Sequence, residues 1–295
     1  MIIIAVIVGN YFYLEQRKGD GNKTNESAVV EEPKEASPIE TTPPTETIPP
    51  TPDPQDELEI ALKEQIKQYD GNWSIYIEDL KRNKKTIINE KQMVAASLIK
   101  LFTAGEYFDA ISNKGIAETP YSDSLLRLMI SQSDNDAWEA LETYFGGYYE
   151  NGLQEVTEFA QKNGYPKTGR LIGAPSIYSE DAKNLSSVSD IGKALNNIYY
   201  GTYVNKDASE KILNCMLNQE RRDKIPAGLP EDIQCANKTG ELYDVQNDAA
   251  IIYTDTTDYI LVVMTENQID DLKSFDDIAN VSKLVYEYMI QINEE

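Results

Sequence analysis

Hydrophobic residues along this chain follow three rhythms, and each marks a different kind of segment. The first is an unbroken apolar run at the start, "MIIIAVIVGNYFYLEQRK", of about 14 residues. That is short of the ~20 a helix needs to cross a bilayer. No basic lead-in precedes it, no small-residue cleavage site is obvious beside it, and Arg17 and Lys18 follow it, a pair that argues against export of what comes next. We read residues 1–16 as a hydrophobic anchor or signal remnant. A buried strand is the other reading, and the following segment conflicts with it. "EEPKEASPIETTPPTETIPPTPDPQDE" holds 8 of the chain's 13 prolines, with Thr and Glu between them and almost nothing to bury. Such composition gives an extended, polyproline-leaning tether, here residues 17–56. A tether behind an apolar start holds a folded domain, residues 57–295, off a membrane.

The second rhythm repeats every three to four positions and predicts helices. Leu58, Leu62, Ile66 and Tyr69 share one face, with Asp53 as a cap, Pro54 in the first turn and Gly71 as terminator. The stretch from about Ala95 to Tyr200 is mainly helical by the same criterion, and an amphipathic helix closes the chain from about Asp270 to Asn293. The third rhythm is strand-like. "WSIYIEDL" and "TIINE" flank the polar turn "KRNKK" as a hairpin. "DIQCANK", "DAAIIYTD" and "DYILVVMTE" follow late in the chain. Strands at both ends with helices between predict an α+β fold: an antiparallel sheet of about five strands built from both termini, flanked by helices, with an inserted all-helical lobe.

Composition narrows the function. The chain of 295 residues is 41% hydrophobic, enough to fill an enzyme-sized core. Its formal charge of -23 repels phosphate backbones, so nucleic acid is not an expected partner. There is no histidine. That removes the commonest general base and zinc ligand and every Ser-His-Asp triad. Cys215 and Cys235 cannot build a thiolate metal site, and they read as buried small hydrophobes. Neither a metal nor an organic cofactor is implied.

Hydrolytic chemistry must then run on Lys, Glu, Asp, Tyr or Ser, and three short motifs carry those residues. In "MVAASLIKLFTAGEYF", Ser97 and Lys100 stand three apart at the head of an apolar helix, so their side chains meet on one face. Burial among Leu98, Leu101, Phe102 and Phe108 lowers a lysine's proton affinity and makes it a usable base. The N–H groups of a helix start also suit an oxyanion. The ordinary reading is a capping serine followed by an exposed lysine. "LLRLMISQSDNDAWEALETYFGG" places Ser133, Asp134 and Asn135 between two helices, the second ended by Gly146 or Gly147; a linking turn with a cap would look the same. In "NKTGELYDVQNDAAIIYTD", Lys238, Thr239 and Gly240 end one strand before the next begins, as any hairpin with glycine at its turn does. Ser133 follows Ser97 by 36 residues and Lys238 follows Ser133 by 105. All three in that order are hard to reach by chance.

The set S-x-x-K, S-D-N and K-T-G is a known signature of class A β-lactamases and penicillin-binding proteins. From about Leu58 to Glu295 the chain resembles the class A β-lactamase-like serine hydrolases, and "LLRLMISQSDNDAWEAL" and "IPAGLPEDIQCANKTG" look like that family's segments around the same sites. The resemblance implies the β-lactamase/transpeptidase-like fold and a role for each matching position. Ser97 would be acylated by a β-lactam or a peptidoglycan-type peptide, with Lys100 as its basic partner. Ser133 would relay a proton to the leaving nitrogen, and Asn135 would hold the substrate amide. Lys238, Thr239 and Gly240 would form the strand that binds the substrate carboxylate, and the backbone N–H groups of Ser97 and Glu241 would make the oxyanion hole. It also implies a monomer outside the cytoplasm, anchored or secreted.

Two features depart from that family. The E-x-x-L-N segment whose glutamate activates the deacylating water has no counterpart in "TGRLIGAPSIYSEDAKNLSSVSDIG", where Glu180 is the nearest carboxylate and the weak candidate for that role. The usual arginine behind the K-T-G strand is missing, with Gln246 near its place. The expectation is intact acylation with slow turnover: a class A-like β-lactam hydrolase, with a D,D-peptidase or a non-turnover binding module for β-lactams or wall peptides as the alternatives.

Overall fold

The computed structural model describes residues 54–172 and 183–294, all within the unit Pro50–Glu295. The apolar start, the tether through residue 53 and Glu180 lie outside the described residues; residues 54–56, expected as the end of the tether, form the first turn of the first helix. In chain order the elements are α1 (Pro54–Ile66), β1 (Asn72–Asp79), β2 (Lys84–Ile88), β3 (Met93–Val94), a 3₁₀ turn (Ala96–Ile99), α2 (Lys100–Lys114), α3 (Pro120–Ser131), α4 (Asn135–Gly146) and α5 (Tyr149–Lys162). There follow β4 (Gly169–Ile172), β5 (Lys183–Ser186), α6 (Val188–Tyr199), α7 (Lys206–Leu217), a second 3₁₀ turn (Ile225–Gly228), β6 (Gln234–Leu242), β7 (Val245–Tyr253), β8 (Tyr259–Glu266) and α8 (Asp271–Glu294).

The predicted five-stranded sheet is present, in the order β2-β1-β8-β7-β6, antiparallel throughout. Its strands alternate between two cores, as a period of two requires. Ile75 and Ile77 of β1 pack with Leu58, Leu62 and Ile66 of α1 and with Ile278, Val281 and Val285 of α8. Tyr76, between them, joins the opposite core with Ile260 and Val262 of β8 and residues of the helical lobe. Both faces are therefore covered, which is why β7 and β8 read as nearly unbroken apolar runs. α2 runs through the lobe, with Leu101, Phe102, Ala104, Tyr107 and Phe108 all buried, and a helix apolar on every side belongs in an interior. Among the described residues no helix is long and apolar enough to cross a membrane. Cys215 and Cys235 are free and buried, as their sequence context predicts.

Three local expectations are corrected. Ser97 is on a 3₁₀ turn, with the α-helix beginning only at Lys100. K-T-G lies inside β6, which continues to Leu242, because tertiary burial of Lys238 and Thr239 extends pairing beyond the polar-looking end. The middle of the chain also contributes a second sheet, β3-β5-β4, whose strands of two to four residues are too short to leave a periodic signal.

Candidate active site

The first motif is fixed at Ala95, two residues before Ser97. The Ala95 amide donates to the carbonyl of Asn184 on β5 at 2.8 Å, and its carbonyl accepts from Leu98 N–H at 3.0 Å. Asn247 on β7 reaches across with Nδ2 to the carbonyls of Val94 at 2.9 Å and Ala95 at 3.2 Å. The chain then turns through Ala96, held at φ +48°, the left-handed region that a residue with a Cβ adopts only when its surroundings enforce it. From there the 3₁₀ turn begins. Its threefold repeat eclipses residues three apart, so Ser97 and Lys100 are brought onto one line more closely than an α-helix would manage.

Lys100 is wholly buried. Its Nζ donates to the Ser133 carbonyl at 2.7 Å and to Asn135 Oδ1 at 2.7 Å, with the Asp134 carbonyl farther off at 3.4 Å. Burial pushes the amine down to about 7, with Arg170 and Arg221 pushing the same way and Asp134 and Glu142 opposing. A neutral amine has two N–H bonds and one lone pair. The two short bonds occupy both donors, which leaves the lone pair for a hydroxyl proton.

Ser133 bends out of α3 at φ +59°, and Asp134 caps α4 by accepting from Ala137 N–H at 2.7 Å. That cap turns Asn135 toward Lys100. The helix it starts is closed by Gly147 at φ +73°. Lys238 arrives from β6, wholly buried, and donates from Nζ to Ser133 Oγ and to the Thr239 carbonyl, both at 2.8 Å. Burial, then repulsion from Lys100, brings its amine well below the ordinary lysine range. Gly240 explains how β6 comes so close to the serine's turn. A Cβ there would stand 2.7 Å from the Ala95 carbonyl and 3.1 Å from Leu98 N, distances only glycine permits.

The structure therefore gathers Lys100, Ser133, Asn135 and Lys238 into one bonded cluster, with Ser97 one eclipsed turn from Lys100 and Thr239 and Gly240 alongside. Glu241 follows on β6. Its carboxylate accepts from the buried Lys224 at 2.6 Å and from Arg221, so three segments contribute cations around the K-T-G strand. Gln246 is buried opposite Glu241 and spends its amide on the Leu242 carbonyl at 3.3 Å. No arginine stands on β7 there; Arg221, on the loop after α7, pairs with Glu241 instead, a contact that inspection of the strand alone misses.

Behind Lys100 is a second group that the motifs do not reveal. Arg170 of β4 grips Glu142 of α4 with two bonds of 3.1 Å, both side chains buried. Thr103 bridges Glu142, at 3.0 Å, to the indole N–H of Trp138, at 2.9 Å. Sequence carried a faint signal for it: Trp138, Glu142 and Phe145 fall on one helical stripe, where an acid in an apolar row must find a partner.

A family model described as the β-lactamase enzyme family matches residues 57–120 and 121–289. Among solved structures, the fold is similar to a variant of the class A β-lactamase of the last common ancestor of Gram-negative bacteria, at 18% identity and a TM-score of 0.69, covering 80% of this chain and 99% of that one. It is similar to PBP-A, at 20% identity and a TM-score of 0.69, covering 80% and 96%; a mutant of PBP-A is described as an acyl-enzyme complex with penicillin G. It is also similar to a β-lactamase from Sphaerobacter thermophilus, at 20% identity and a TM-score of 0.68, covering 80% and 98%.

Proposed function

This chain belongs to the β-lactamase enzyme family, and from that premise we propose that it is a serine acyl hydrolase working through an acyl-enzyme on Ser97. Lys100 takes the Ser97 proton, and Oγ attacks the carbonyl carbon of a strained cyclic amide. The backbone N–H groups of Ser97 and Glu241 receive the oxyanion. As the C–N bond breaks, Ser133 passes its proton to the departing nitrogen, and water later cleaves the ester and frees Ser97. Asn135 holds the substrate amide. Lys238 and Thr239 hold its carboxylate, a local positive site within an acidic protein. The apolar N-terminal run and the proline-rich tether support a domain held outside the cytoplasm beside a membrane.

One observation carries this reading: a wholly buried Lys100 amine whose two short bonds go to Ser133 and Asn135, one turn after Ser97. Turnover is slow, because residues 168–192 carry no E-x-x-L-N segment; Glu180 is the weak candidate for the water-activating base. The same lack supports a second reading, a D,D-peptidase of the penicillin-binding type for which a lasting penicillin adduct is natural. A binding module that is acylated once, or not at all, is the remaining alternative. Incubation with penicillin G followed by intact-mass spectrometry tests the proposal. A mass gain on Ser97 that is lost in Lys100→Ala is expected, and no gain in the wild type would overturn it. Decay of the adduct within minutes marks a β-lactamase, persistence for hours with D-alanine release from a wall-type peptide marks the peptidase, and persistence without release marks the binding module.

A further inference from the structure

Lys100 has a neighbour that none of the three motifs supplies. Its Nζ lies 4.8 Å from the centre of the Trp138 ring, and the Arg170 guanidinium lies 3.6 Å from the centre of the same ring. Trp138, Thr103, Glu142 and Arg170 form a closed circuit: indole to hydroxyl, hydroxyl to carboxylate, carboxylate to guanidinium, guanidinium onto indole. Three further bonds tie the circuit to the rest of the lobe. Arg170 Nη1 donates to Asn184 Oδ1 at 2.8 Å, Nη2 donates to the Tyr149 hydroxyl at 3.0 Å, and the Asn184 carbonyl holds the Ala95 amide. The same asparagine thus touches the guanidinium and anchors the strand leading to Ser97.

We propose that the Arg170–Glu142 pair, with the Trp138 ring that both cations contact, is a positioning unit for Lys100. The ring fixes where the amine stands, and the balance of the two charges sets how readily it accepts the Ser97 proton. This rests on the reading of Lys100 as the base in acyl-enzyme formation. A ring face attracts a cation, and a buried guanidinium repels one through a poorly screening interior. The paired carboxylate decides how much of that repulsion survives. Among the described residues, the charged groups acting on Lys100 are Asp134 from the α3–α4 turn, Glu142 from α4, Arg170 from β4, Arg221 from the loop after α7, and Lys238 from β6. Asp134 and Glu142 favour the protonated amine, and Arg170 and Arg221 disfavour it. Glu142 and Arg170 alone are bonded to one another, so changing either unbalances the other.

Two conservative substitutions push in opposite directions. Glu142→Gln keeps the shape of the circuit but leaves the guanidinium uncompensated, which makes Lys100 a weaker base. Asn184→Asp sets a carboxylate against Arg170 Nη1, which makes it a stronger one. The rate of Ser97 acylation by penicillin G, followed by intact mass from about pH 5 to about pH 9, should climb through an acid limb that reports the neutral fraction of Lys100. Changing one elementary charge in this buried circuit should move that limb by about one pH unit, downward for Glu142→Gln and upward by about half as much for Asn184→Asp. A merely structural role would slow acylation without moving the limb. Limbs that stay fixed or move together overturn the proposal while leaving the acyl-enzyme reading intact. If Glu142→Gln does not fold, Asn184→Asp decides alone, and an unmoved or lowered limb is fatal. A wild type that takes no adduct at any pH defeats the acyl-enzyme reading first.

Discussion

Replacing Lys100 with methionine separates a buried neutral base from a buried ammonium. The amine sits at about 7 in the folded protein, against an ordinary value of 10.5. Between those two values the unfolded chain binds more protons than the folded one, so wild-type stability rises with pH across that window. Below pH 7 both states hold the proton and the penalty of burying it is felt in full, about 5 kcal/mol at most. Above 10.5 neither state holds it and the penalty is gone. Methionine fills a similar volume without that penalty, but it strands the Ser133 carbonyl and Asn135 Oδ1, at a cost of roughly 1–3 kcal/mol. Near about pH 6 the Lys100→Met variant should therefore exceed the wild type by about 2–4 kcal/mol, and above about pH 11 it should fall below it by roughly 1–3. Urea titrations of both full-length proteins at several pH values read the difference, whose slope should reach about 1.4 kcal/mol per pH unit from Lys100 alone. Lys238 adds to that slope wherever removing the Lys100 charge lets it hold a proton more readily, because the folded variant then binds more protons. A difference flat in pH would mean that the amine titrates as an ordinary lysine, and the account of Ser97 activation given above would fall.

Other outcomes follow from single positions. Gly240→Ala should push β6 off the serine's turn, since the clash is with backbone atoms; acylation by penicillin should drop about 100-fold, the scale of a displacement of about 1 Å, with a lower melting temperature. Ser133→Gly sets relief of strain at φ +59°, which suits glycine, against loss of the bond to the buried Lys238 amine, so stability should change by no more than about 1 kcal/mol, while acylation falls by at least about 100-fold as the relay is lost. Cys215 and Cys235 should resist a thiol reagent such as dithionitrobenzoate at about pH 8 until urea unfolds the protein. Both are buried, and burial raises the Cys215 thiol to about 11 and Cys235 higher still; rapid labelling of the native protein would contradict this.

Much of the fold was legible because its strands and helices obey different periods. Leu58, Leu62 and Ile66 announced a helix face, and the runs at both termini announced one sheet. The small sheet was not legible, since Met93–Val94 gains strand geometry only by pairing with Leu185 and Ser186, about 90 residues away. The motifs gave the centre of the site but not its surroundings. Ser97, Lys100, Ser133 and Lys238 share a local pattern that survives in one dimension. Arg221, Glu142 and Arg170 act from a loop, a helix and a short strand, where a charged residue looks like any other until folding gives it a partner. The polar end of β6 misled for the same reason: Lys238 reads as solvent-facing and becomes interior only through Ser133.

The order of strands in the large sheet bears on when the cleft can exist during synthesis. β1, the first strand of that sheet in sequence, never pairs with β6 or β7; β8 stands between them and pairs with both β1 and β7. A ribosome-bound chain that ends before Tyr259 therefore has every motif residue and no frame to align them. Covalent labelling by a fluorescent penicillin would then serve as a clock for translation, silent until the last strand has emerged.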